Sequence, residues 1–121
     1  MSEHIALGKA GEALGVRHLK KLKYKIVEQN YRCKFGEIDV VALDRKTVVF
    51  VEIKTRSTKE FGSPLNGVTP RKQRKLAKAA MAYLQEHQLF DRDARFDVVA
   101  VEVDSGQERI DVIQNAFEIS A

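Results

Sequence analysis

The sequence predicts an α/β chain, a central mixed β-sheet flanked by helices in the order α-β-β-β-α-β-β. Three observations carry this prediction. Apolar residues recur at helical spacing in two long segments, one near the start and one after residue 69. Short apolar stretches bounded by turn formers lie between and after them. Two of these stretches, "EIDVVALD" and "TVVFVEIKTR", are joined through "DRK", which makes them a hairpin.

Taken in order, residues 3–22 read as the first helix. Residues 24–32, "YKIVEQNYR", read as a strand, and "KFG" turns into the second strand, 37–44. The third strand is 47–56. "SPLNGVTP", residues 63–70, is a loop rich in turn formers. Thr69 and Pro70 place a cap before a first-turn proline, so a second helix starts there, and the pattern extends it to about Leu89. "RFDVVAVEV", 95–103, is a fourth strand, and "IDVIQNAFEI", 110–119, a shorter fifth.

The 121 residues fit one domain, 1–121. A chain of this size can bury well over half of its unfolded surface. With 44% hydrophobic and 31% charged residues, the composition is that of a globular protein and excludes a disordered one. A net charge of +4 admits a polyanionic partner without requiring one. The single cysteine, Cys33, rules out an internal disulfide and suits a reducing compartment. The start, "MSEHIALGKAGEALG", carries acids and glycines where a signal peptide needs an apolar centre. No run is long enough to span a membrane. A cytoplasmic protein without a membrane association or a nucleotide cofactor is expected.

Charges inside the third strand raise the functional question. Strand side chains alternate between faces. Val49, Val51 and Ile53 share one face; Val48, Phe50, Glu52 and Lys54 share the other. In the second strand Ile38, Val40 and Ala42 fall together, opposite Glu37, Asp39 and Val41. The hairpin therefore brings Asp39 near Glu52 and Lys54. A buried carboxylate needs a partner, a proton or a metal. One answer is a structural ion pair of Lys54 with Glu52 or Asp39 at a strand end. The other is a site for a hard cation, Mg²⁺ or Mn²⁺, which suits carboxylate oxygens plus water and phosphate.

The first helix adds a third acid. Glu12 lies within a stripe of Ile5, Val16 and Leu19, with Gly8 and Gly15 on the same side. Glycines there let a helix approach a sheet closely. Glu12 then aims at whatever the helix covers; the plain alternative is a glutamate at the stripe's edge reaching water. Glu37 ranks below Glu12 as an extra ligand. His4, His18 and His87 have no ligand spacing, Cys33 has no partner for zinc, and Asp97 is expected to end a strand or pair with a nearby base.

Asp39 followed by "VFVEIKTR" resembles the D…E-x-K motif of the restriction-endonuclease-like PD-(D/E)XK nucleases. The wider strings "GKAGEALGVRHL", "NYRCKFGEIDVVA", "VTPRKQRKLAKAAMAYL" and "RFDVVAV" are similar to the YraN family of small bacterial proteins, themselves predicted nucleases. The resemblance covers nearly the whole chain. It implies a restriction-endonuclease-like fold related to archaeal Holliday-junction resolvases. It implies that Asp39 and Glu52 are metal ligands with Glu12 adding a third, that Lys54 assists the attacking water or the phosphate, and that Gln73 frames the site. It also makes branched DNA a candidate substrate and a two-fold homodimer a candidate assembly.

The second helix is basic on one side. Arg71, Arg74, Lys75 and Lys78 project together, opposite Leu76, Ala79, Ala80, Tyr83 and Leu84; Lys72 and Gln73 lie in the first turn nearer the apolar side. Such a stripe is either a solvated face or a row of phosphate contacts along DNA, with Lys72 a further candidate contact. Arg56 shares the face of Lys54 and is a further candidate contact. The stretch "RSTKEFGSPLNG", with Lys59, Gly62 and Gly67, is a loop able to close over a substrate. The expected function is a metal-dependent endonuclease acting on DNA. Its rival is a catalytically silent nucleic-acid-binding or adaptor protein on the same fold; a third option is an ion-paired sheet with no site at all.

Overall fold

A computed structural model describes residues 3–57, 63–104 and 106–118, with side chains from residue 8 onward and without that of Ser57. Lys59 and Gly62 of the expected loop, the Ile5 and His4 side chains, and residue 119 of the expected fifth strand lie outside the described residues. The elements are α1 (Glu3–Lys21), β1 (Lys25–Cys33), β2 (Gly36–Asp44), β3 (Thr47–Ser57), a 3₁₀ turn (Pro64–Gly67), α2 (Pro70–Glu86), β4 (Ala94–Asp104) and β5 (Gln107–Phe117). They form one mixed five-stranded sheet in spatial order β1-β2-β3-β4-β5. Neighbours run antiparallel except β3 and β4, which are parallel because α2 carries the chain back across the sheet.

Each face of the sheet is covered by one helix. On the α1 side, Val16 and Leu19 pack on Val40, Val49, Val51, Ile53, Val99 and Val101. On the α2 side, Leu76, Ala79, Ala80, Tyr83 and Leu84 pack on Ile38, Val41, Val48, Phe50, Phe96 and Val98. The alternation expected for β3 is therefore the observed one. That of β2 is not: Ile38 packs with Val41 on the α2 side, and Val40 and Ala42 face α1. The lapse falls at Asp39. Across from it, between the pairs Gln29↔Val40 and Tyr31↔Ile38, stands Asn30 with φ of 55°. A left-handed residue inside a strand turns the chain out of its pleat.

Residues with positive φ lie behind two further differences. α2 stops at Glu86 rather than near Leu89 because Gln88 takes φ of 55°. Leu89 N–H then donates to Leu84 O (2.8 Å) and Gln88 N–H to Gln85 O (3.3 Å), the Schellman closure usually made around glycine. At the other end Thr69 Oγ1 accepts from Lys72 N–H at 3.2 Å, a cap worth about 1 kcal/mol. β5 starts earlier and ends earlier than expected, since β4 and β5 pair as far as Asp104↔Gln107 around a turn at Gly106.

Asp97, 1% exposed, is a structural anchor. Its carboxylate accepts from Tyr24 Oη (2.9 Å), Arg95 Nε (3.0 Å) and the Asn115 backbone N–H (3.0 Å). The pairing with a nearby base expected from the sequence is the one to Arg95, which also reaches Asp44 at 2.8 Å. The network ties β5 and the α1–β1 connection to β4, and every buried member is satisfied.

Candidate active site

The site forms where β2 and β3 part. Their pairing runs from Asp44↔Thr47 to Val40↔Val51. At the next position Asp39 Oδ2 accepts a hydrogen bond from Ile53 N–H at 2.8 Å, so a side chain takes the place of a ladder partner. This fixes one oxygen of Asp39 in the plane of the sheet. The carboxyl groups of Glu52 and Glu12 both lie close enough to Asp39 for its carboxylate to raise their proton affinity.

Glu12 arrives there because α1 lies close on β3. A methyl group at Gly11 would fall on the Thr55 hydroxyl, and one at Gly15 would sit 3.1 Å from Ile53 Cδ1. The sequence pointed to Gly8 and Gly15; Gly8 faces open space, and Gly11 is the second contact point. Asn30 supports the same acid. With its amide nitrogen turned to the carboxylates, it donates to Glu37 Oε1 at 2.8 Å and Glu12 Oε1 at 3.3 Å. Asn30 was not singled out in the sequence, although an asparagine tolerates the left-handed backbone that this position demands. Glu37 is exposed and also pairs with Arg32 at 3.5 Å.

These contacts raise proton affinity. Burial, then the Asp39 charge, pushes the Glu52 carboxyl up to about 8, against the lowering effect of Lys72. Burial first, and then Asp39 and Glu37, raise Glu12 above the usual carboxylate range. Carboxylates in contact cannot all ionise without a proton or a cation among them. That donor chemistry fits a hard divalent ion. No group of three His, Cys, Asp or Glu side chains is already arranged as a cage among the described residues. Mg²⁺ does not require one, because it binds through one or two carboxylates and keeps several waters.

Two ammonium groups approach on the α2 side. Lys54 follows Glu52 along β3, and its end lies against the 3₁₀ turn: a methyl group at Gly67 would come within 2.7 Å of Lys54 Cε and 3.2 Å of Nζ. Lys72, from the first turn of α2, pairs with Glu52 through Nζ–Oε1 at 3.3 Å. The ion pair at Glu52 is thus made by Lys72 of the helix, where the sequence pointed to Lys54. Gln73 donates from Nε2 to Val68 O at 3.0 Å and so fastens the start of α2 beside the site. Arg56 is committed to Glu102 at 2.8 Å, with 14% of its side chain exposed. Arg71, Arg74, Lys75 and Lys78 are all exposed, as their projection implied. Arg74 and Lys78 border a groove of about 1050 Å³ with Phe35, Met81 and Phe90.

Fold and site together define a small mixed-sheet α/β protein with acidic side chains gathered where a hairpin splits. The chain belongs to the Uncharacterised protein family UPF0102, whose model matches residues 11–101. That span holds every side chain of the site, from Glu12 to Lys72. The chain is 48% identical over 120 residues to a UPF0102 protein of Geotalea uraniireducens, covering 98% of this chain and 94% of that one. It is 49% identical over 115 residues to one of Geobacter sulfurreducens (94% and 90%), and 44% identical over 120 residues to one of Syntrophus aciditrophicus (99% and 94%). No helix among the described residues is long and apolar enough to cross a membrane.

Proposed function

We propose that this protein is a metal-dependent endonuclease that hydrolyses phosphodiester bonds in DNA, with branched DNA a candidate substrate. The reading places it among the PD-(D/E)XK nucleases, beside the YraN proteins and related to archaeal Holliday-junction resolvases. It also places it in the cytoplasm, where the lone thiol of Cys33 stays reduced. The observation that carries the reading is Asp39, held by Ile53 N–H at 2.8 Å, as the shared electrostatic neighbour of Glu12 and Glu52. Groups whose proton affinity is shifted by burial and a specific charged neighbour cluster at functional sites.

Asp39, Glu52 and Glu12 would hold Mg²⁺ or Mn²⁺. The bound ion would lower the pKa of a water and offset charge on the phosphate. Lys54, one step along β3 from Glu52 on the same face, orients that water or a phosphate oxygen. Arg71, Arg74, Lys75 and Lys78 hold the DNA backbone without reading its sequence. Arg56 is set apart from this group by its pairing with Glu102. A two-fold homodimer is the assembly that goes with a branched substrate.

One observation favours a second reading, a nucleic-acid-binding protein without turnover: Lys72 already neutralises Glu52. Incubation of duplex, nicked, flap and four-way-junction DNA with Mg²⁺ or Mn²⁺ separates the two. The nuclease reading predicts cutting that Glu52→Ala loses. DNA that is bound but left uncut supports the second reading, in which Arg74→Glu with Lys75→Glu weakens binding.

A further inference from the structure

The Lys72–Glu52 pair stands out against its surroundings. Lys72 is the third residue of α2, where the helix dipole disfavours a cation, and the first turn contains no acid to offset it. Its partner is one of the two buried charged residues of the described chain, 9% exposed. The two ends of the contact differ in freedom. The backbone at Lys72 is fixed by its N–H to Thr69 Oγ1 (3.2 Å) and, one residue on, by Gln73 Nε2 to Val68 O (3.0 Å). The Lys72 side chain is 38% exposed and tethered by four methylenes, whereas Glu52 is enclosed and in contact with Asp39. One partner can leave and the other cannot.

An ammonium and a divalent ion compete for the same carboxylate oxygens. From the geometry we infer that Lys72 is the resident counter-ion of Glu52: it yields the carboxylate to the divalent metal and turns to a phosphate of the bound DNA. The exchange keeps positive charge over the carboxylates in both states. It also places the freed ammonium at the start of α2, next to exposed Arg71, Arg74 and Lys75. Lys54 is set apart from the exchange because the ion pair to Glu52 is made by Lys72, while the end of Lys54 lies beside Gly67. The Lys72–Glu52 pair is then the metal-free form of a working site rather than the mark of a silent one. This inference rests on the metal-binding reading proposed above.

Mn²⁺ binding in the absence of DNA, followed by electron paramagnetic resonance of the free ion, tests it on the full chain. Lys72→Met is expected to bind Mn²⁺ about tenfold more tightly than wild type, the lower end of what a neighbouring group contributes to a metal site. Lys72→Arg keeps the competing charge and is expected to stay near wild type. Glu52→Gln should bind weakly and serves as the site control. DNA affinity gives a second readout: Lys72→Met should weaken binding in Ca²⁺ and leave it unchanged in EDTA. If wild type binds Mn²⁺ through Glu52 and Lys72→Met binds it no more tightly, the exchange is overturned and the metal site stands. If neither protein binds Mn²⁺, both readings fall.

Discussion

Asp39 Oδ2 lies 2.8 Å from the backbone nitrogen of Ile53, and that hydrogen bond replaces a rung of the sheet. One carboxylate therefore has two duties: it closes the end of the β2–β3 hairpin and it anchors the acidic site. Asp97 likewise accepts a backbone N–H from the neighbouring strand, that of Asn115 in β5. Each carboxylate has an asparagine with positive φ on the neighbouring strand, Asn30 across from Asp39 and Asn115 beside Asp97, and at Asn115 the strand register also shifts.

Asp39→Asn and Asp39→Ala should separate the two duties. Asparagine keeps an oxygen for Ile53 N–H and loses the charge, so metal binding should fall with little change in stability. Alanine leaves that N–H without its partner and should cost a further 1–3 kcal/mol, roughly, in urea unfolding. Equal stability of the two variants would contradict the structural duty.

The proton affinity of Glu52 sets a pH dependence. Its folded value, about 8, lies above the ordinary 4.5, so between these values the folded state binds more protons than the unfolded one. Stability of the metal-free protein should then fall as pH rises through that window, with Glu12 acting in the same direction. Thermal melts in EDTA should show this slope, and Glu52→Gln should flatten it. Mg²⁺ should stabilise the protein more at the alkaline end, since it binds the deprotonated acids.

The two glycines of α1 predict opposite outcomes. Gly11→Ala drives a methyl group into Thr55 and should cost about 1–3 kcal/mol, displacing Glu12 with the helix. Gly8→Ala meets nothing within 4 Å and should gain up to about 1 kcal/mol in helix propensity. Denaturation midpoints measured side by side check the contrast.

Gly67→Ala should act on function instead of stability. The new methyl group meets the flexible end of Lys54, which can shift while the turn stays in place. Cleavage should drop while the melting temperature holds. A large loss of stability would mean that Lys54 is a packing residue.

Much of this was legible in the sequence, for physical reasons. β3 obeys strict alternation, so Glu52 and Lys54 were placed correctly opposite Ile53. β2 was misread by one residue at Ile38, because a single left-handed asparagine on the neighbouring strand leaves no trace in hydrophobic periodicity. The extent of α2 was overstated because a glutamine, not a glycine, takes the left-handed position after it. Lys72 was assigned to the DNA-facing set although its place near the apolar side already aimed it at the sheet. Its pairing with Glu52 depends on the distance between α2 and β3, which no local pattern encodes. The partners of Asn30 and Asp97 likewise come from other strands.

The most direct test of the central claim is cleavage of the four DNA forms by wild type, Asp39→Asn and Glu52→Gln, each shown to be folded by a cooperative melt. The account predicts that wild type cuts at least one form with Mg²⁺ or Mn²⁺ and stops in EDTA. Each variant should be slower by about a hundredfold or more, the scale of losing a charge-stabilising group. Cutting that persists in both variants, or the absence of cutting by wild type with either metal on every form, would contradict it.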